Sequence, residues 1–189
     1  MTSTSCFNIS DENITIDGKG YTLTFGDASG TDQLDGIYST KKNTTIKNLK
    51  ILKGSAAGSS ASRPGIFFNG PTSGTIENMT INSTYYGIYL LNGGNISTEN
   101  VTIVNSSSYG IFLNASVNSS FTNVVVDGAM GDAIFLAGSS NENYILKNVT
   151  LVNTNSSARD LVIDGANGTS LIDMPYVGNY SFANPAIVV

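Results

Sequence analysis

The chain has 189 residues, a formal net charge of −5 and only 12% charged side chains, with Asn, Ser, Thr and Gly filling the difference. That composition suits polar β faces and tight corners and does not suit a helical protein. The acidic balance argues against nucleic acid, which clustered Lys and Arg would signal. No apolar run reaches membrane-span length, and no signal-peptide pattern precedes Cys6.

Cys6 is the only cysteine, so no disulfide can form within the chain. It reads as a small buried hydrophobe, with an intermolecular bond as the alternative. The first β signal is Asn13-Ile14-Thr15-Ile16. After it comes a long irregular stretch, GKGYTLTFGDASGTDQLD, before Gly36-Ile37-Tyr38. Asn48-Leu49-Lys50-Ile51 resumes the pattern, and a second long stretch, rich in Gly, Ser and Ala, precedes Gly65-Ile66-Phe67-Phe68.

From Gly74 the pattern becomes regular. Glu77-Asn78-Met79-Thr80-Ile81 returns 22 residues later as Glu99-Asn100-Val101-Thr102-Ile103, and Tyr86-Gly87-Ile88-Tyr89-Leu90 returns after 23 as Tyr109-Gly110-Ile111-Phe112-Leu113. Further copies are Asn123-Val124-Val125-Val126, Ala133-Ile134-Phe135-Leu136, Asn148-Val149-Thr150-Leu151 and a degenerate Leu161-Val162-Ile163-Asp164.

Apolar residues alternate with polar ones inside each unit, which is strand periodicity. A fixed period of this size marks a solenoid. The prediction is therefore an all-β parallel β-helix of about six coils, each with three short strands, forming one domain over 1–189. Long corner loops are expected at 17–35 and 52–64, and an irregular end at 165–189.

Superposing the units predicts stacked rows. Leu49, Met79, Val101, Val124 and Val149 form one interior row, and Ile51, Ile81, Ile103, Val126 and Leu151 the next. Ile37, Ile66, Ile88, Ile111 and Ile134 form a third, beside Phe68, Leu90, Leu113 and Leu136. Ile46, Ile76, Thr98, Phe121 and Leu146 point inward from the remaining strand. The recurring corner residues Asn13, Asn48, Asn78, Asn100, Asn123 and Asn148 should bend the chain in left-handed geometry and hydrogen-bond to one another as a ladder.

The sequence offers little for catalysis. It has no His, so the commonest general base and metal ligand are absent, and Ser–His and Cys–His pairs are impossible. One cysteine builds no thiolate metal site, and no P-loop pattern is present. Neither a metal nor a cofactor is expected. Paired carboxylates are the remaining option: Asp132 and Asp160 precede equivalent strands, with Asp127 and Asp164 nearby. A glycosidase would need two of these across a cleft, and nothing in the sequence supplies one.

Alternation turns Tyr38, Phe67, Tyr89, Phe112 and Phe135 outward, with Tyr86 and Tyr109 beside them. Such a row can serve as an interface, a glycan-stacking surface or a self-stacking ladder that stiffens the sheet. Asn-x-Ser/Thr occurs fourteen times. Asn82, Asn105, Asn118 and Asn155 fall in corners and are the candidate N-glycosylation sites. Charge is uneven as well. Gly36 to Arg63 carries six basic residues and no acid, whereas the chain beyond Arg63 carries two bases and eight acids.

The units IxNxTI and YGIYL, with ITIDGKGYTL near the start, resemble the right-handed parallel β-helix repeats of carbohydrate-binding and sugar-hydrolase domains. That group includes NosD-like proteins and surface proteins of methanogenic archaea, among them adhesin-like, cell-sheath and S-layer types. The resemblance runs from Asn13 to Asp164. Polygalacturonase-like members carry a His with clustered Asp, so no catalytic residue transfers to this chain and no enzyme activity is implied.

What the resemblance implies is an extracellular structural protein of a microbial, archaeal cell envelope. It would assemble with copies of itself by end-to-end stacking into a sheath, hoop, tube or surface layer. The alternative is an adhesin-like module that holds cell-surface glycans, with a polysaccharide-active enzyme behind both.

Overall fold

The computed structural model describes residues 5–26, 35–54, 63–70, 72–137, 143–153, 155–165, 168–175, 178–183 and 187–188. Two parallel sheets wind through the chain. The first has eight strands in sequence order: Phe7–Ile9, Ile37–Ser39, Ile66–Asn69, Ile88–Leu91, Ile111–Asn114, Ile134–Ala137, Leu161–Asp164 and Tyr180–Ala183. The second holds Thr15–Asp17 and Thr22–Phe25, then Thr44–Lys53, Gly74–Asn82, Ile96–Val104, Ser120–Asp127, Ile145–Val152, Thr169–Ile172 and Ile187–Val188. The chain visits the sheets alternately and every pairing is parallel, so it is a parallel β-helix. The estimate of about six coils is close. Among the described residues, the outer strands of the first sheet, Phe7–Ile9 and Tyr180–Ala183, each pair with a neighbour on one side only.

The interior rows pair as the repeat predicts. Leu49 is level with Met79, Met79 with Val101, Val101 with Val124 and Val124 with Val149. Ile37, Ile66, Ile88, Ile111, Ile134 and Leu161 form a continuous row, every member fully buried. Burying a Val or Ile side chain contributes roughly 1.5–3 kcal/mol, and here that burial depends on the coil above and the coil below. Thr98 is the polar exception in the Ile46–Leu146 row: its hydroxyl is buried without a hydrogen-bond partner.

Two of the three strands expected per coil turn out to be one. Thr44–Lys53 runs unbroken through Asn48, yet Ile46 and Leu49, three residues apart, are both buried. Period-two alternation would put them on opposite faces. The left-handed Asn48, at φ 54, shifts the phase by one residue, bends the strand and lets ladder pairing continue on both sides. The same φ recurs at Asn78, Asn100, Asn123 and Asn148, between 51 and 55.

Coil spacing also dictates residue size. A Cβ at Gly87 would lie 2.5 Å from the Ile103 Cγ2 and 2.6 Å from the Gly110 carbonyl oxygen, so the neighbouring coil leaves room only for glycine.

Three expectations about the irregular segments need correction. The 17–35 segment is not all loop: Thr22–Phe25 pairs with Lys50–Lys53. Asp17–Gly18–Lys19–Gly20 replaces the corner Asn, so the coil is complete but carries no Asn to flag it. The 165–189 end supplies Thr169–Ile172, Tyr180–Ala183 and Ile187–Val188, which extend both sheets. Of the 52–64 loop, Leu52 and Lys53 still belong to a strand, and 55–62 lies outside the described residues. The first loop still leaves from the corner used by the second, because Phe25 is level with Lys53.

Candidate functional site

Three surface features carry the chemistry available to this rod: an aromatic column, the corner asparagines and a few carboxylates. The outward positions of the first sheet bring all seven expected rings together. Phe67 and Tyr89 stack at 4.7 Å and 3°, Tyr89 and Phe112 at 5.0 Å and 13°, with Tyr38 and Phe135 tilted at the two ends. Tyr86 and Tyr109 form a second stack at 5.7 Å and 5°, and each packs against Phe112. Tyr85, which the sequence reading missed, closes edge-on against Tyr86. The only signal for it was adjacency to a residue already in the repeat.

Because the rings stack along the rod axis, the best-aligned faces are turned on one another and the edges look outward. Each ring is half-buried. Desolvation by these neighbours pushes the Tyr89 and Tyr109 hydroxyls above the usual tyrosine range, with Asp132 adding to the effect at Tyr109.

The asparagines form a column with one polarity. Asn78 donates its Nδ2 to Asn48 Oδ1 at 3.3 Å, Asn100 to Asn78 at 3.4 Å, Asn123 to Asn100 at 3.1 Å and Asn148 to Asn123 at 2.8 Å. The direction is set at Asp17, whose carboxylate can only accept. Asn48 Nδ2 donates to it at 3.0 Å, so each later amide must point the same way. That hydrogen bond and those from Lys19 hold the Asp17 carboxyl at about 2.

Asn13, expected in this column, belongs to another. Thr15 pairs with Thr45, which places Asn13 level with Asn43, and Asn43 Nδ2 donates to Asn13 Oδ1 at 2.9 Å. Asn13-Ile14-Thr15-Ile16 matches Asn43-Thr44-Thr45-Ile46 as readily as it matches the Asn48 unit, so the pattern alone did not discriminate.

The carboxylates do not assemble into a pair facing a cleft. Asp132 accepts from Arg159 Nε at 3.1 Å, from its Nη2 at 2.9 Å and from its backbone N–H at 2.8 Å. Asp160 accepts from the backbone N–H groups of Gly178 at 2.7 Å and Asn179 at 3.1 Å. Asp127 and Asp164 are exposed, on different sheets. Asp35, which the sequence reading passed over, is 8% exposed, and burial pushes its carboxyl up to about 7. Among the described residues no cluster of His, Cys, Asp or Glu could hold a metal ion.

Of the candidate glycosylation sites, Asn105 and Asn118 are exposed, whereas Asn82 and Asn155 are partly buried. Asn105 Nδ2 donates to Asn82 Oδ1 at 3.3 Å, Asn118 Oδ1 accepts from Asn143 at 3.0 Å, and Asn155 Nδ2 donates to the Met130 carbonyl. Cys6 is exposed, not buried, because it precedes the edge strand Phe7–Ile9. Among the described residues no helix is long and apolar enough to cross a membrane.

A solenoid whose polar residues ladder from coil to coil, with an aromatic column on its surface, is a parallel β-helix repeat protein. The right-handed β-helix region model matches residues 4–171, and the chain belongs to that family. No curated protein and no solved structure matches it.

Proposed function

We propose that this chain is a structural protein of a microbial cell envelope, a β-helical rod that stacks end to end on copies of itself outside the cell. The observation that carries this reading is the exposure of apolar side chains at interior register positions in the outer described coils. Phe7 and Ile14 occupy interior register positions at one end and are 45% and 37% exposed; Tyr180 and Phe182 do so at the other and are 59% and 37% exposed. One coil inward, Ile37, Thr44, Leu161 and Ile163 are fully buried.

An open sheet edge beside uncovered apolar positions is unfavourable in water, and a like coil satisfies both at once. The side of the rod supports the same reading. Its ring faces are spent on one another, whereas a glycan-holding surface would need them open to the sugar. The density of Asn-x-Ser/Thr sites fits an exported protein.

Negative-stain microscopy and sedimentation of the purified protein test this. Rods, tubes or hoops whose length grows with concentration are expected. Monodisperse monomers at every concentration would overturn the assembly reading, and binding on a glycan array would then favour the adhesin-like alternative.

A further inference from the structure

Beside the main Asn column runs a second corner column, whose level members are Asn13, Asn43, Ser73, Asn95, Asn118 and Asn143. It is bonded on both sides and broken in the middle. Asn43 Nδ2 donates to Asn13 Oδ1 at 2.9 Å, and Asn143 Nδ2 donates to Asn118 Oδ1 at 3.0 Å. Ser73 Oγ donates to Asn43 Oδ1 at 3.3 Å and accepts from the Asn43 backbone N–H at 3.0 Å, so it is spent on that neighbour. Asn95 is exposed, and among the described residues its carboxamide has no hydrogen-bond partner. Its backbone still bonds to both neighbouring coils, from its N–H to the Val117 carbonyl and from the Gly74 N–H to its own carbonyl.

The break falls at an Asn-x-Ser site with both of its polar groups open. Ser97 is exposed, like Asn95, and the left-handed φ of 55 at Asn95 holds the corner. A groove of about 380 Å³ lies alongside, lined by Lys42, Ser73, Asn92, Gly93, Gly94 and Val117 as well as Asn95 itself. That is the size of a small-ligand cleft, so a first sugar attached at Asn95 has somewhere to lie.

The other sites each lack something. Asn78, Asn100 and Asn148 spend Nδ2 in the main column, and Asn43, Asn105, Asn155 and Asn179 spend theirs on other oxygens. Asn82 and Asn114 are followed by Thr84 and Ser116, which are fully buried. The Ser10 hydroxyl after Asn8 donates to Asp11, and Asn13 and Asn118 are held at Oδ1 by the next coil. Asn167 lies outside the described residues. Resting on the reading that the chain is exported, though not on its stacking, we propose that Asn95 is the N-glycosylation acceptor of the folded protein. The donor is a sugar carried on a lipid phosphate, brought by an oligosaccharyl transferase. Asn95 Nδ2 bonds to the anomeric carbon, whose bond to the phosphate oxygen breaks. The lipid phosphate leaves with the electron pair, and one amide proton passes through a base of the transferase to solvent. Any amide in a ladder must first break its hydrogen bond, and Asn95 has none to break.

The test incubates folded protein with a solubilised oligosaccharyl transferase and a lipid-linked oligosaccharide, beside a protease digest of the same chain, and maps the sugars by peptide mass. In the folded protein, Asn95 should be modified about fivefold or more faster than Asn78, Asn100 or Asn148, and the digest should shrink that lead. Ser97→Ala should lose the sugar at Asn95 and melt like the wild type. Ladder asparagines modified as fast as Asn95 in folded protein, or the same lead in the digest, would overturn the proposal. Protein recovered from its own cells separates the two readings. Exported protein bare at Asn95 would overturn this site and leave export standing, whereas bare protein held inside the cell would remove both.

Discussion

Asn100 donates to Asn78 and accepts from Asn123, and its left-handed backbone, φ 55, re-phases the strand so that residues on both sides of it face inward. Asn100→Gly keeps the backbone and loses the two hydrogen bonds, a cost of about 1–2 kcal/mol at an exposed site. Asn100→Leu adds roughly 1–2 kcal/mol for a Cβ residue in left-handed geometry. Thermal melts should therefore rank wild type above Gly above Leu; a Leu variant as stable as the Gly variant would show that the backbone conformation carries no cost.

Asp35 gives a pH test with the opposite sign to Asp17. Its folded carboxyl sits at about 7 against an unfolded value near 4, so the unfolded chain gives up its proton first as pH rises. Stability should then fall from about pH 4 to 7. Asp17, held at about 2, contributes stability above pH 4 that is lost as pH drops through its folded value. Asp35→Asn should raise the melting temperature at pH 8 and leave it nearly unchanged at pH 4. Parallel wild-type and variant curves across that range would contradict the assignment.

At the scale of elements, the aromatic column joins the coils along the outside of the first sheet much as the aliphatic rows join them inside. Phe112 packs on Tyr86, Tyr89, Tyr109 and Phe135, spanning three neighbouring rungs. Aromatic pairs contribute about 0.5–1.5 kcal/mol each beyond burial, so Tyr89→Ser with Phe112→Ser should cost on the order of 3 kcal/mol or more. If the column is a stiffener, the double variant melts earlier but still assembles once folded. Loss of assembly with unchanged stability would make the column an interface instead.

For the whole molecule, a stack held by nearest-neighbour contacts should open from its ends. Interior residues of the middle coils, such as Ile88, Ile111 and Val124, are fully buried, whereas Phe7 and Tyr180 are largely open. Hydrogen exchange on dilute protein should be slowest across 88–136 and fastest at 7–17 and 169–182. Above the assembly threshold, protection should appear at those two ends and change little in the middle. Uniform exchange along the chain would argue against a stack of separately contributing coils.

The repeat determined the coil, because stacking forces one residue type onto one position at every turn. The interior rows, the column from Asn48 to Asn148 and the seven rings were legible for that reason. Where the repeat lapsed, the reading lapsed with it. Asp17–Gly18–Lys19–Gly20 replaces a corner Asn, so Thr22–Phe25 looked like loop, and the 169–183 strands lacked the NxTI pattern. Period two cannot distinguish Asn43 from Asn48 as the partner of Asn13; only hydrogen-bonded register does. The single polarity of the Asn column needed tertiary structure too, since it follows from one carboxylate, 31 residues from Asn48 in sequence, standing beneath that amide. The sequence alone placed like on like; contacts between coils decided direction and burial.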